Sequence, residues 1–165
     1  MEIWDAYDRE GRPVNRLLVR GEAVPEGLYH LVSEILVRHE DGDYLLMQRD
    51  PRKAGYGGWF EATAGGSALT GEDALACARR ELREETGICA DALHPIGRHV
   101  SRDTIYHQFL CVTGCAKNAI VLQEGETVAY RWLSEAAFID FIHSGSMIGH
   151  QLDRYRDYFS RMGYL

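Results

Sequence analysis

The chain has 165 residues, with 18 Lys and Arg against 25 Asp and Glu, for a formal net charge of −7. That length suits one well-packed domain and is short for two, so residues 1–165 are expected to form a single domain. The acidic balance argues against a nucleic-acid polymer as partner, which would need a basic stripe, but not against a nucleotide held through a metal ion.

The opening MEIWDAYDRE is charged and alternating, so it reads as neither a secretory signal nor a membrane span. Ile3–Tyr7 and Leu17–Arg20 read as short strands around the turn-forming Asp8–Pro13, an N-terminal hairpin extension within residues 1–27. Its exposed edge offers a place for a second copy to pair, a route to a homodimer. Leu31–Arg38 and Tyr44–Gln48 flank Glu40-Asp41-Gly42-Asp43, a hairpin signal. Pro51 to Gly71 is glycine-rich and aperiodic, which predicts a long functional loop with a short strand near Trp59. A helix is expected from about Gly71 to Thr86, with Thr70 and Asp73 as a capping box and Gly87 as a left-handed C-terminal cap.

Strands are expected through Ile96–Ser101, Ile105–Val112 and Val128–Leu133. Ser134 suits the cap of a helix with Phe138, Phe141 and Ile142 on its apolar face. Ser146 suits the cap of a last helix, whose stripe of Ile148, Leu152, Tyr155, Phe159 and Met162 reads as facing the core. Mixed strands with helices to either side predict an α/β/α sandwich. Cys77, Cys89, Cys111 and Cys115 lack the C-x-x-C pairing of zinc sites, and Cys77 and Cys111 sit in apolar segments as small core residues. A reducing, cytoplasmic location follows as the default expectation.

The chemistry is concentrated between Gly66 and Ile88. At 100° per residue, Glu84 and Glu85 lie to either side of Glu81, so three carboxylates share one patch. Like charges this close destabilise a helix unless a cation sits among them, and Mg²⁺ is commonly shared between carboxylates and the phosphates of a substrate. The alternative is a solvated face laced with ion pairs, since Arg79, Arg80 and Arg83 interleave with the acids and Arg80–Glu84 is an i,i+4 pair. Ala74, Cys77 and Ala78 share the glutamate side, leaving room for backbone to approach, while Leu75 and Leu82 form an adjoining apolar stripe.

This segment resembles the Nudix box, G-x5-E-x7-R-E-U-x-E-E-x-G-U, with Gly66, Glu72, Arg80, Glu81, Leu82, Glu84, Glu85, Gly87 and Ile88 filling every specified position. The fold implied is the Nudix α/β/α sandwich with an extra N-terminal hairpin. The chain also resembles the branch containing isopentenyl-diphosphate isomerase, through its EIWDAYD opening, Val24–His30, the Leu45–Arg49 strand end and Gly58-Trp59. Trp59 stands two residues further from the box than in an ordinary Nudix hydrolase, which is the isomerase-like spacing. Yet Ala64 occupies the position of the isomerase cysteine and Gly66 that of a metal-binding histidine. Neither can supply the proton-transfer chemistry of an isomerase.

The resemblance therefore implies hydrolysis: Mg²⁺- or Mn²⁺-dependent attack of water on a phosphoanhydride in a nucleoside-diphosphate-linked or other small diphosphate compound. It implies Glu81, Glu84 and Glu85 as metal ligands joined by the Gly65 carbonyl, with one glutamate a candidate base. Arg80 would orient the cluster by pairing with Glu72. Glu126 would reach the metals or act as base; otherwise it is a solvated loop acid. Arg49 and Lys53 are candidates to bind the diphosphate, or ordinary surface charges. Trp59, with Tyr56 and Phe60, could stack a flat group or pack the loop. Glu61 could add to the acidic site. His30 stands at the place of an isomerase ligand, but without its partner histidine it reads as a hydrogen-bonded structural residue. An isomerase and a non-catalytic diphosphate-binding module are the alternative functions.

Overall fold

The computed structural model describes residues 1–90 and 92–165. A hairpin of β1 (Ile3–Tyr7) and β2 (Pro13–Val19) precedes a seven-stranded mixed sheet. The sheet contains β3 (His30–His39), β4 (Tyr44–Arg49), β5 (Phe60–Glu61), β6 (Ala64–Ser67), β7 (His94–Val100), β8 (Thr104–Thr113) and β9 (Thr127–Leu133). Its path is β5-β4-β3-β8-β7, with β6 added to β3 and β9 to β4. The helices are α1 (Ala74–Thr86), α2 (Glu135–His143) and α3 (Gly149–Arg161).

Alternation along β3 and β4 builds two cores on opposite faces of the sheet. Ile35, Val37, Leu45 and Met47 cluster with Ala78 and Leu82 of α1. Leu36, Tyr44 and Leu46 cluster with Phe138 and Ile142 of α2 and Tyr155 and Phe159 of α3. A period of two in the strands thus meets helices on both sides, which is the α/β/α arrangement. Burial of Leu82, fully enclosed, contributes roughly 2 kcal/mol. Cys77 and Cys111 are both buried.

The central pairing is parallel: β3 runs beside β8 from His30↔Thr104 to His39↔Thr113. The hairpin expected between β3 and β4 is reduced to a single paired position, Arg38↔Tyr44, because beyond it β6 takes that edge of β3 and β5 takes that edge of β4. The loop expected over 51–71 contains a second strand as well, β6, antiparallel to β3. Its sequence, AGGS, carries no hydrophobic alternation to announce it.

Helix α1 begins three residues later than the capping-box expectation. Asp73 is its N-cap and accepts the Ala76 N–H at 2.7 Å, whereas Gly71 has φ +84°, outside helical backbone. Gly87 closes the helix in the left-handed conformation, as expected. Ser134 caps α2 through the Ala137 N–H. Ser146 does not cap α3: Ile148 is the N-cap with no side-chain bond, and the Ser146 N–H goes instead to Ser144 Oγ at 3.1 Å. Of the predicted stripe, Ile148, Tyr155 and Phe159 are buried and Met162, beyond the helix end, is exposed.

The N-terminal hairpin is docked rather than free. Trp4, Ala6 and Leu18 form a small core with Leu69 packed against it. Trp4 also stacks on His30, with ring centroids 4.3 Å apart. The Thr70 N–H donates to Ile3 O and the Gly71 N–H to Asp5 Oδ2, tying the hairpin to the segment that leads into α1. No described helix is long and apolar enough to cross a membrane.

Candidate active site

The glutamate patch forms where α1 packs on β6. Gly65 and Gly66 lie opposite Glu34 and Ser33 of β3, and the absence of side chains there is structural. A Cβ on Gly66 would stand 2.3 Å from Glu81 Oε1, and one on Gly65 would stand 2.7 Å from Ser33 O. Glycine is thus what lets the strand backbone lie directly against the carboxylates. The Gly65 N–H donates to Glu85 Oε2 at 3.3 Å.

Arg80 is the organiser of this face. Its Nε and Nη2 grip Glu72 at 2.7 and 2.9 Å, and Nη2 also donates to Ser67 O at 3.0 Å. Its Nη1 donates to Glu81 Oε1 at 2.6 Å and to Glu84 Oε2 at 3.3 Å. The pairing with Glu72 matches the expectation. Arg80 engages Glu81 and Glu84 as well as Glu72, because a planar fork of five donors can serve both sides. Hydrogen bonding to Arg80 holds the Glu72 carboxyl below its usual range. Burial pushes Glu81 up, against the pull of Arg80.

Glu85 has only weaker relief, from the Gly65 N–H and the charge of Lys53. Burial, followed by the charges of Glu81 and Glu61, drives its carboxyl up to about 8. Glu61 lies on β5 beside this patch and is also raised by burial, while Arg49 Nη1 donates to its Oε1 at 2.6 Å. Lys53 pairs with Glu126, and burial and then the charge of Arg49 lower its ammonium pKa. Backbone brings these last two together, since the Asp50 N–H donates to Glu126 O at 2.9 Å.

These groups line one open cleft of about 1080 Å³ that includes Gly65, Gly66, Arg80, Glu81, Glu84, Glu85, Arg49, Lys53, Glu61 and Glu126. Trp59 is not among its lining residues; it is 42% exposed and meets Tyr56 edge-on, and Tyr56 in turn meets His150. His30 lies under Trp4 with Nδ1 3.2 Å from Asp103 O, outside the cleft. Its stacked and hydrogen-bonded setting is structural.

Several lining residues had no motif to mark them. Glu34, 6% exposed, takes a two-pronged contact from Arg154 of α3, with Nε at 2.9 and 3.1 Å from its two oxygens. Gln108 donates to Glu34 at 3.3 Å, and Arg154 lies 4.2 Å over the Tyr106 ring. The signal available was an acid inside the apolar run LVSEILV, which no solvated strand needs. Arg20 and Glu2 reach the cleft from the hairpin.

Among the described residues, no three His, Cys, Asp or Glu side chains stand in a ready-made metal-holding group. Arg80 pairs with Glu81 and Glu84 there. The donor chemistry nevertheless fits a hard divalent cation. The carboxylates are packed against a glycine cradle, where a Cβ on Gly65 would meet backbone and one on Gly66 would meet the Glu81 carboxylate. The half-buried Glu85 stands among acids with its carboxyl pushed up by desolvation and their charge.

The family model for the NUDIX domain matches residues 28–147. An uncharacterised Nudix hydrolase of Listeria monocytogenes, lmo0368, is 35% identical over 91 residues, 55% of this chain and 54% of that protein. Another, PA4841 of Pseudomonas aeruginosa, is 30% identical over 132 residues, 80% of this chain and 75% of that protein. The chain spans about half the length of the Listeria relative. The crystal structure of DR0079 from Deinococcus radiodurans superposes with a TM-score of 0.76 at 18% identity, covering 94% of this chain and 98% of that one, a likeness of fold. The matched domain contains the glutamate helix, the glycine strand and most of the cleft, and the chain belongs to the NUDIX domain family.

Proposed function

We propose that this chain is a divalent-metal-dependent hydrolase that cleaves a phosphoanhydride bond in a nucleoside-diphosphate-linked or other small diphosphate compound. The observation that carries this reading is the half-buried carboxylate of Glu85, which accepts a hydrogen bond from the Gly65 N–H and stands beside Glu81 and Glu84 in a cleft that also holds Arg49 and Lys53.

Gly65 through its carbonyl, and Glu81, Glu84 and Glu85 through their carboxylates, would hold Mg²⁺ or Mn²⁺, which supplies charge neutralisation on phosphate oxygens and a more acidic attacking water. Arg80 fixes the rotamer of Glu81 through its own anchorage on Glu72. Gly65 and Gly66 let the phosphates approach the strand backbone. Arg49 and Lys53 would bind the diphosphate, exchanging Glu61 and Glu126 for phosphate oxygens. Glu126, once released by Lys53, would be free to accept a proton from the attacking water.

An isomerase remains disfavoured, since Ala64 has no proton to transfer and Gly66 no imidazole. One observation favours a non-catalytic binding module, namely Arg80 on Glu81 and Glu84 in the place a cation would take. The deciding experiment is release of phosphate or pyrophosphate from a panel of diphosphate compounds with Mg²⁺ or Mn²⁺. Metal-dependent release that is lost in Glu85→Gln supports hydrolysis, whereas tight calorimetric binding with no product over hours favours the binding module.

A further inference from the structure

Part of the cleft is lined by residues outside the NUDIX match of 28–147. On the inner face of the hairpin, Ala6, Trp4 and Leu18 are buried over the domain. The ladder pairs Ile3 with Val19 and continues with the Arg20 N–H donating to Glu2 O at 3.0 Å. Strand alternation therefore puts Glu2 and Arg20 on that same inner face, one step beyond Trp4 and Leu18. At that step the apolar surface ends and the cleft begins, and both residues line it.

Arg20 is held there loosely. Its Nη1 donates to Glu2 Oε2 at 2.7 Å, while two thirds of its side chain (66%) stays exposed. Glu2 is anchored separately by Trp4 Nε1 at 2.8 Å. Across the cleft, the charge of Arg20 contributes to lowering the Lys53 ammonium pKa, after burial and Arg49. Arg20, Arg49 and Lys53 thus line one cleft with the glutamate patch, from the hairpin, from β4 and from the loop after it.

We infer that Arg20 is a substrate-binding residue that takes a third phosphate, beyond the diphosphate held by Arg49 and Lys53, and that Glu2 competes with that phosphate for it. A guanidinium fork matches phosphate bidentately, and an exposed ion pair is cheap to exchange. The substrate class this selects is a compound with three linked phosphates, in preference to a simple diphosphate. This inference rests on the cleft being the diphosphate site proposed above.

The test is calorimetric titration, in Mg²⁺, with the non-hydrolysable imido analogues of inorganic triphosphate and diphosphate. Arg20→Gln should weaken the triphosphate analogue about tenfold and leave the diphosphate analogue nearly unchanged. Glu2→Gln keeps an acceptor for Trp4 but releases Arg20, and should tighten the triphosphate analogue about threefold. Glu10→Gln, on the same hairpin but outside the cleft lining, controls for net charge and should change neither. Equal effects on both analogues, no effect, or weakening by Glu2→Gln in step with a lowered Tm would overturn the inference and leave a structural ion pair. Failure of wild type to bind the triphosphate analogue more tightly than the diphosphate analogue would overturn it as well. If the binding pattern holds while no diphosphate compound is turned over, it is the hydrolase reading that fails.

Discussion

Glu34 and Glu85 are neighbours in one cleft and opposites in environment. Glu34 is the more buried, yet Arg154 and Gln108 satisfy it, and its charge is balanced within the fold. Glu85 accepts one long hydrogen bond from Gly65 and faces two further acids, so its proton is held up to about 8. Burial of an acid is therefore a poor guide to function, because a completed ion pair holds the architecture together. A buried acid left short of positive charge points to a missing cation.

The contrast breaks first at Glu85→Gln, which should lower turnover by at least about a hundredfold. The same change should raise the stability of metal-free protein. The folded carboxyl has a raised pKa, so ionisation opposes folding increasingly from about pH 4.5 up to about 8 and by a constant amount above that. Thermal melts in chelator should show the variant gaining over wild type at pH 8.5 and matching it near pH 4. A uniform loss of Tm at both values would count against the account.

Glu34→Gln should do the reverse. Removing one member of a buried pair leaves Arg154 uncompensated, at a cost of about 2 kcal/mol, below the usual range because Arg154 keeps its stack on Tyr106. Denaturant titration reads this cost, and Mg²⁺ binding should be little affected.

Gly66→Ala sharpens the geometry. Its Cβ would enter the space of the Glu81 carboxylate, the far end of a flexible side chain, so Glu81 must swing away. Activity should fall about tenfold with a small change in stability. Unchanged kinetics would show that Glu81 need not lie against the strand.

The smallest effect is expected at Asp50, which does not itself line the cleft. Hydrogen bonds from Arg52, first from its side chain and then from its backbone, hold the Asp50 carboxyl down at about 2. A depressed folded pKa gives stability that is present above about pH 4 and lost as pH falls toward 2. Asp50→Asn should flatten that acid limb and leave stability at pH 7 only slightly lower.

The glutamate helix, its Gly87 cap, the two-sided sandwich and the N-terminal hairpin were legible in the sequence, because each depends on local periodicity or turn chemistry. Three features were not. The parallel pairing of β3 with β8 joins segments some seventy residues apart and leaves no local mark. Strand β6 is two glycines between small residues and owes its form to β3 and α1 on either side. Arg154 and Arg20 enter the cleft only because α3 and the hairpin fold over it, so their spacing from the box carries no signal. The partners of Arg49 and Lys53 were likewise invisible until the fold brought Glu61 and Glu126 beside them.

The most direct measurement is the Mn²⁺ affinity of wild type, Glu85→Gln and Glu34→Gln, read by the loss of the free-ion signal in electron paramagnetic resonance. Glu85→Gln should weaken binding at least about tenfold while Glu34→Gln stays close to wild type. Equal affinity in wild type and Glu85→Gln, or a greater loss in Glu34→Gln, would contradict the assignment of Glu85 as a cation ligand.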